Sequence, residues 1–217
     1  MARPVFEERL EDLNKTLLNM GFLVQEAIYK AVKSLTDKNT QLAQEVLEDD
    51  EKINALEVEI EKKCFELIAL QQPVGKDLRR IATMLKVSTD LERMGDHAVS
   101  ISKTTIRLEK EQYAKPLIDI PKMADIVKEM VQEVLEAFVN QDQEKAVQVS
   151  KKDDQIDELF GNIFMEVSEL MQKNPEMIRQ GPYFLLVAQN LERIGDYVTN
   201  MCEWIVYLQT AKLVDLN

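Results

Sequence analysis

The chain repeats itself, and no other feature constrains its fold as strongly. LERMGD at Leu91–Asp96 returns as LERIGD at Leu191–Asp196, an offset of 100 residues. DEKI at Asp50–Ile53 returns as DDQI at Asp153–Ile156, an offset of 103. At that same offset Met20, Val24 and Glu26 match Met123, Val127 and Glu129. The matches keep one order with a single three-residue slip, as an internal duplication of about 100 residues would leave them.

Each half carries three periodic stretches. In the second stretch of the first half, Val46, Ile53, Leu56, Ile60, Cys64 and Leu67 follow a spacing of three or four. Their counterparts are Val149, Ile156, Phe160, Ile163, Val167 and Leu170. Such spacing marks amphipathic helices. Glycine and proline number only 12 of 217 residues, so long helices meet few breakers. Breaks fall near Asp37–Asn39, Gln72–Pro73, Lys115–Pro121, Asn140–Asp142 and Asn174–Pro175. The pattern predicts an all-α chain of six helices, over 5–36, 40–70, 74–111, 119–139, 142–173 and 176–212. Pro182 is expected to kink or delay the last one. Two tandem antiparallel three-helix bundles follow, over 1–114 and 115–217, joined through Lys115–Pro121.

Composition narrows the function classes. The net charge is −12, and 39 Asp and Glu face 27 Lys and Arg. Such a surface repels nucleic acid and anionic membranes. The longest apolar run, Tyr183–Ala188, is six residues, too short to span a bilayer. MARPVFEERLEDL lacks the apolar core of a signal peptide. Cys64 and Cys202 are isolated, as reduced buried thiols are. The expectation is a soluble cytoplasmic protein without membrane insertion.

Antiparallel helices joined by a short turn bring residues equidistant from the turn to one height. The turn near Gln72 lies 19 residues after Ile53 and 19 before Leu91, and the turn near Asn174 lies 18 after Ile156 and 17 before Leu191. In each half the DxxI segment should therefore face the LERxGD segment. Acids within these segments are four apart, on one helix face: Glu92 with Asp96, Glu192 with Asp196, and Asp153 with Asp157. The fourth pair is Asp50 with Asn54. Two carboxylate clusters result, one per half. Asp50 and Asp153 also fall in the apolar register, where an acid needs a use.

Clustered like charges cost stability. Protonation, a basic partner or a bound cation can relieve them. Arg93 and Arg193 lie beside the acids, with Asp96 in reach of Arg93, yet one arginine leaves each cluster negative. A multivalent cation is the simplest counter-charge, and oxygen donors suit Mg, Ca, Mn or Fe better than a soft-ligand zinc site. Gly95 and Gly195 sit mid-helix at a cost of about 1 kcal/mol each, which suggests close approach of a neighbouring backbone or ligand.

The plainer alternative is a solvated salt-bridge face, and it weakens once the motif is duplicated opposite a second acid pair. Lone His97 suits a surface position better than a ligand. Glu26 and Glu129 are level with the clusters as minor extra candidates. The ten methionines read as core filler. Enzyme readings fare poorly. A di-metal oxidase needs Glu-x-x-His pairs, and Met94 stands three before the single histidine. Six scattered glycines form no phosphate loop.

Duplicated LERxGD, the DEKIN and DDQID segments, and QQPVGKDLRRIATMLKVSTDLERMGD together resemble the PhoU family over essentially the whole chain. The resemblance implies two three-helix bundles in pseudo-twofold arrangement. It also implies a cytoplasmic, dimeric, negative regulator of phosphate uptake and of the phosphate-starvation response. Such a protein acts between the phosphate transporter's ATPase and a sensor histidine kinase. Some members bind multinuclear metal clusters through paired E/DxxxD motifs, here Asp50–Asn54 with Glu92–Asp96 and Asp153–Asp157 with Glu192–Asp196. The expected ions are divalent or ferric (Fe, Mn, Mg or Zn). Asn54 departs from the pattern and weakens the first site, where Glu51, like Asp154 in the second half, could compensate. Because the clusters repel phosphate, no direct phosphate site is expected without a bridging cation. A purely structural helical interaction protein without metal is the competing expectation, and a carboxylate-metal oxidase a third.

Overall fold

The computed structural model describes residues 3–216, and among them every regular element is helical. The helices are α1 (Arg3–Asp37), α2 (Thr40–Gln71), α3 (Lys76–Arg107), α4 (Asp119–Asn140), α5 (Gln143–Ser150), α6 (Asp153–Lys173) and α7 (Met177–Thr210). They form two antiparallel three-helix bundles. In the first, α1, α2 and α3 pack on one another; in the second, α4, the α5–α6 pair and α7 do so.

Local chemistry sets the ends. Asn39 accepts a hydrogen bond from the Leu42 amide at the start of α2, and its repeat counterpart Asp142 accepts from the Lys145 amide at the start of α5. Gln72 and Gln141 close α2 and α4 in the left-handed conformation. Pro182 is the sixth residue of α7, and the helix runs through it. The sixth helix is therefore neither broken nor delayed at that proline.

One difference from the six-helix expectation stands out. The rod over 142–173 is interrupted at Lys151–Lys152, and α6 restarts at Asp153. No glycine or proline marks this break. Its effect is to set Asp153 and Asp154 in the first turn of α6, where unsatisfied amides favour carboxylates. The equivalent point of α2 is continuous helix, so Asp50 lies mid-helix.

The bundles join along two seams. One is α3 against α7, which run antiparallel: His97 meets Asn190 and Tyr197, and Lys86 lies over Trp204. His97 and Tyr197 occupy the same place in the two repeats, and their rings are 5.7 Å apart. The pseudo-twofold axis therefore passes close to them. The second seam is α1 against α4. A single apolar core runs through both bundles, with Leu17, Met20, Val24, Ile53, Leu91, Met123, Val127, Ile156 and Leu191 among its buried members. Cys64 and Cys202 are buried and free, and burial pushes both thiols up to about 12.

Duplication survives in an ion pair with its signs exchanged. Lys30 on α1 meets Asp49 on α2 at 3.0 Å. At the repeat counterparts, Glu133 on α4 meets Lys152 just before α6 at 2.8 Å. Each repeat kept the contact and reversed the charge on both sides.

Candidate functional site

The facing of DxxI and LERxGD segments is visible at the two mid-helix glycines. A Cβ added to Gly95 would lie 3.3 Å from Asp50 Oδ1 and from Ile53. A Cβ added to Gly195 would overlap Asp153 Oδ1. In both halves the glycine thus makes room for the carboxylate of the opposing helix, so its cost to the helix has a local return.

In the second half, Asp153 is the deepest acid, 9% exposed. Thr199 Oγ1 donates to its Oδ2 at 3.3 Å, whereas Oδ1 is buried without a partner. Burial, followed by the charges of Asp157 and Asp196, pushes this carboxyl up to about 7. Asp157 is raised by burial and by Asp196, and Glu192 by burial and by Asp196 against the opposing pull of Arg193. Arg193 donates to Asp196 at 3.0 Å and lies 3.7 Å from Glu192, so one guanidinium serves two carboxylates. The four predicted acids therefore share one electrostatic neighbourhood between α6 and α7.

The first half assembles its four residues between α2 and α3. Asn54 Nδ2 donates to Asp50 Oδ2 at 3.3 Å, and Asp50 Oδ1 is buried without a partner. Asp50 is raised by burial and by Asp96, against Asn54 and the cation of Lys103. Glu92 is raised by burial, then by Asp96 and Glu57. Arg93 approaches Glu92 at 3.8 Å, and the i,i+3 pairing expected of it with Asp96 is the one made in the second half by Arg193 with Asp196.

Three participants escaped sequence reasoning. Thr199 lies one turn after Asp196, Lys103 two turns after Asp96, and Glu57 one turn after Asn54. Helical spacing from the motif acids was the available signal. Glu57 adds negative charge that is felt at Glu92, and Glu51 is exposed. Of the minor candidates, Glu129 is held by Lys152 at 2.7 Å. Glu26 acts on Lys30, raising its pKa from a distance. His97 is engaged at the bundle junction, with Nδ1 2.7 Å from Asn190 Oδ1.

Donor chemistry fits a hard cation: carboxylate, amide and hydroxyl oxygens, with one orphaned buried carboxylate oxygen per cluster. Closure is incomplete, since among the described residues no three His, Cys, Asp or Glu side chains are gathered at metal-ligand spacing.

Comparison with known proteins places the chain. The family model described as the PhoU domain matches twice, over residues 17–105 and 120–205. A phosphate-specific transport system accessory protein PhoU homolog of Clostridium acetobutylicum is 42% identical over 218 residues, covering 100% of both chains. The Aquifex aeolicus homolog is 40% identical over 210 residues, 97% of this chain and 95% of its own. The crystal structure of the phosphate transport system regulatory protein PhoU from Streptococcus pneumoniae superposes with a TM-score of 0.91 at 35% identity, over 97% of this chain and 99% of that one. PhoU from Pseudomonas aeruginosa gives 0.92 at 34%, over 95% and 100%.

Proposed function

The chain belongs to the PhoU family, and from that premise we propose that it is a regulatory accessory protein of phosphate-specific transport and not an enzyme. The observation that carries this reading is end-to-end likeness to accessory proteins of that system, both repeats included. Among the described residues no helix is long and apolar enough to cross a membrane.

The finer proposal is a cytoplasmic homodimer that represses phosphate uptake and phosphate-starvation signalling. It acts as an adaptor between the transporter ATPase and a sensor histidine kinase. Deleting the gene tests this: uptake should be derepressed when phosphate is plentiful. Uptake that stays repressed removes the regulatory assignment.

Metal binding at the two clusters is the chemical part of the proposal. Asp153, Asp157, Glu192 and Asp196 would hold one ion or cluster; Asp50, Glu92 and Asp96, with the Asn54 amide, the other. The ion supplies positive charge to carboxylates that otherwise repel each other. The chain's own contribution is to tie α6 to α7 and α2 to α3 through acids on facing helices. Orphaned Asp50 Oδ1 and Asp153 Oδ1 support it. Elemental analysis of protein purified without chelator decides it: less than about one metal per chain, with no thermal shift on adding Mn or Fe(II), sinks the metal part. Phosphate itself would approach these clusters only across such a cation.

Incomplete closure of the clusters favours one second reading, a metal-free helical interaction protein with solvated acids. It predicts that Glu192→Ala with Asp196→Ala leaves regulation intact and stability unchanged or raised.

A further inference from the structure

Helix α2 packs on α1 and α3, and its third face is open to solvent. Its buried stripe includes Ile53, Ile60, Cys64 and Leu67. On the opposite side, about 200° round the helix, Ala55, Val58, Lys62, Phe65 and Ala69 follow at intervals of 3, 4, 3 and 4 residues. Such alternation is the a/d spacing of a coiled-coil seam. All five are exposed, Val58 by 63% and Phe65 by 59%. The bundle itself has no need of this seam, as its own duplicate shows. At the 103-residue offset the five positions become Glu158, Gly161, Met165, Ser168 and Gln172 on α6. The second bundle therefore closes with a polar, broken version of the same face. A Phe and a Val held in water on a regular seam point to something outside the bundle.

Spacing and charge together name the occupant. A seam of this period is complementary to another helix, whose larger apolar side chains fill the room beside Ala55 and Ala69. Positions 55 to 69 cover about 21 Å, a contact of two heptads. Acids flank the seam, Glu59 and Glu66 along one edge and Glu61 along the other. Glu59 already meets Lys63 at 2.5 Å, whereas among the described residues Glu61 and Glu66 make no ion pair. Basic side chains at the flanking positions of an incoming helix answer them. A second copy of α2 would instead set acid against acid, on a chain whose net charge is −12. Nucleic acid and anionic lipid meet the same repulsion. Lys62 stands alone within the seam, and a single charged residue there fixes the register in which a partner can lie.

We propose that the outer face of α2 is a docking surface for a basic amphipathic helix of another protein. The proposal rests on the adaptor reading above and gives it a surface. The probe is a synthetic three-heptad peptide with Leu at a and d and Lys at e and g, titrated with the full chain by fluorescence anisotropy. Saturable binding is expected, on the order of micromolar for so small a contact, and weaker as salt rises. Phe65→Ser, which installs the residue of the second repeat, should weaken it at least tenfold. Glu61→Lys with Glu66→Lys should weaken it too and flatten its salt dependence. Met165→Ser, at the matching place on α6, should change nothing, and circular dichroism verifies that each variant is folded. Amide resonances that shift on binding should map to 51–69. A twin peptide with Glu in place of Lys that binds as well, a Phe65→Ser variant that binds as the parent does, or a footprint elsewhere overturns the surface. Uptake measured in cells separates this surface from the reading it rests on. Deletion that derepresses uptake while Phe65→Ser does not overturns the surface and leaves the adaptor standing. Uptake that stays repressed on deletion removes the adaptor, and the peptide titration alone then decides the surface.

Discussion

Gly195 on α7 and Asp153 on α6 are packed so closely that even a methyl group at position 195 would overlap the Asp153 carboxylate. The equivalent pair, Gly95 with Asp50, leaves 3.3 Å. Alanine gains about 1 kcal/mol over glycine inside a helix, and overpacking costs about 1–3 kcal/mol. At Gly95 the two nearly cancel, because Asp50 need shift only by a few tenths of an ångström. At Gly195 the short, buried Asp153 must be displaced.

Gly195→Ala is therefore expected to destabilise by about 1–2 kcal/mol, and Gly95→Ala to stay within about 1 kcal/mol of the parent. Urea denaturation measures both. Equal stabilities would mean that Asp153 swings away freely, and the tight fit would carry no weight.

Acidity gives a second prediction. Asp153 and Asp90 are each pushed up to about 7, in both cases chiefly by burial. A carboxyl whose folded value lies above its unfolded value of about 3.9 adds its full stability below that lower value and loses it as pH rises to the upper one. Asp49 and Glu136, held below the usual range by lysine partners, act only toward the acid side of this window. Chelator-treated protein should thus melt several degrees higher near pH 5.5 than near pH 8. Asp153→Asn should shrink the difference and raise stability at pH 8 by about 1–3 kcal/mol. A melting temperature that climbs with pH across this range contradicts the assignment.

Both the pairing of motifs and its height along the bundles were legible in the chain, because a repeated motif equidistant from a turn leaves little geometric freedom. Asp50, Asn54, Glu92 and Asp96 could be gathered on paper, as could Asp153, Asp157, Glu192 and Asp196, since spacing by four is a helix property independent of tertiary detail. The break before Asp153 was not legible. KKDD carries no breaker, and the restart is seen only in the fold, where it sets one buried carboxylate, Asp153, in the first turn of α6. Likewise His97 was unreadable, because its partner Asn190 lies 93 residues away on the other bundle.

Exchanged signs at Lys30–Asp49 and Glu133–Lys152 supply a third test, independent of any ligand. Asp49→Lys alone removes the shared partner of Lys30 and Lys52, sets three lysines together on half-buried surface, and should cost about 0.5–1 kcal/mol. Adding Lys30→Glu recreates in the first repeat the polarity that the second repeat already uses, and most of the loss should return. A double variant no better than the single would show that these contacts contribute nothing to holding the bundle.

Unequal clusters lead to the last prediction. The second offers four carboxylates, the deepest of them at the first turn of α6. The first offers an amide at Asn54 that already donates to Asp50, and the cation of Lys103 stands nearby. Charge count and competition both disfavour the first, although Glu57 offsets part of the deficit. Titration of metal-free protein with Mn or Fe(II), followed by melting temperature, should therefore show two phases. Asp196→Asn should remove the tighter one, and Asn54→Asp should strengthen the weaker one about tenfold, the usual reach of a single added ligand contact. If Asn54→Asp changes nothing while Asp196→Asn abolishes all binding, the first cluster holds no ion, and its acids serve the fold alone.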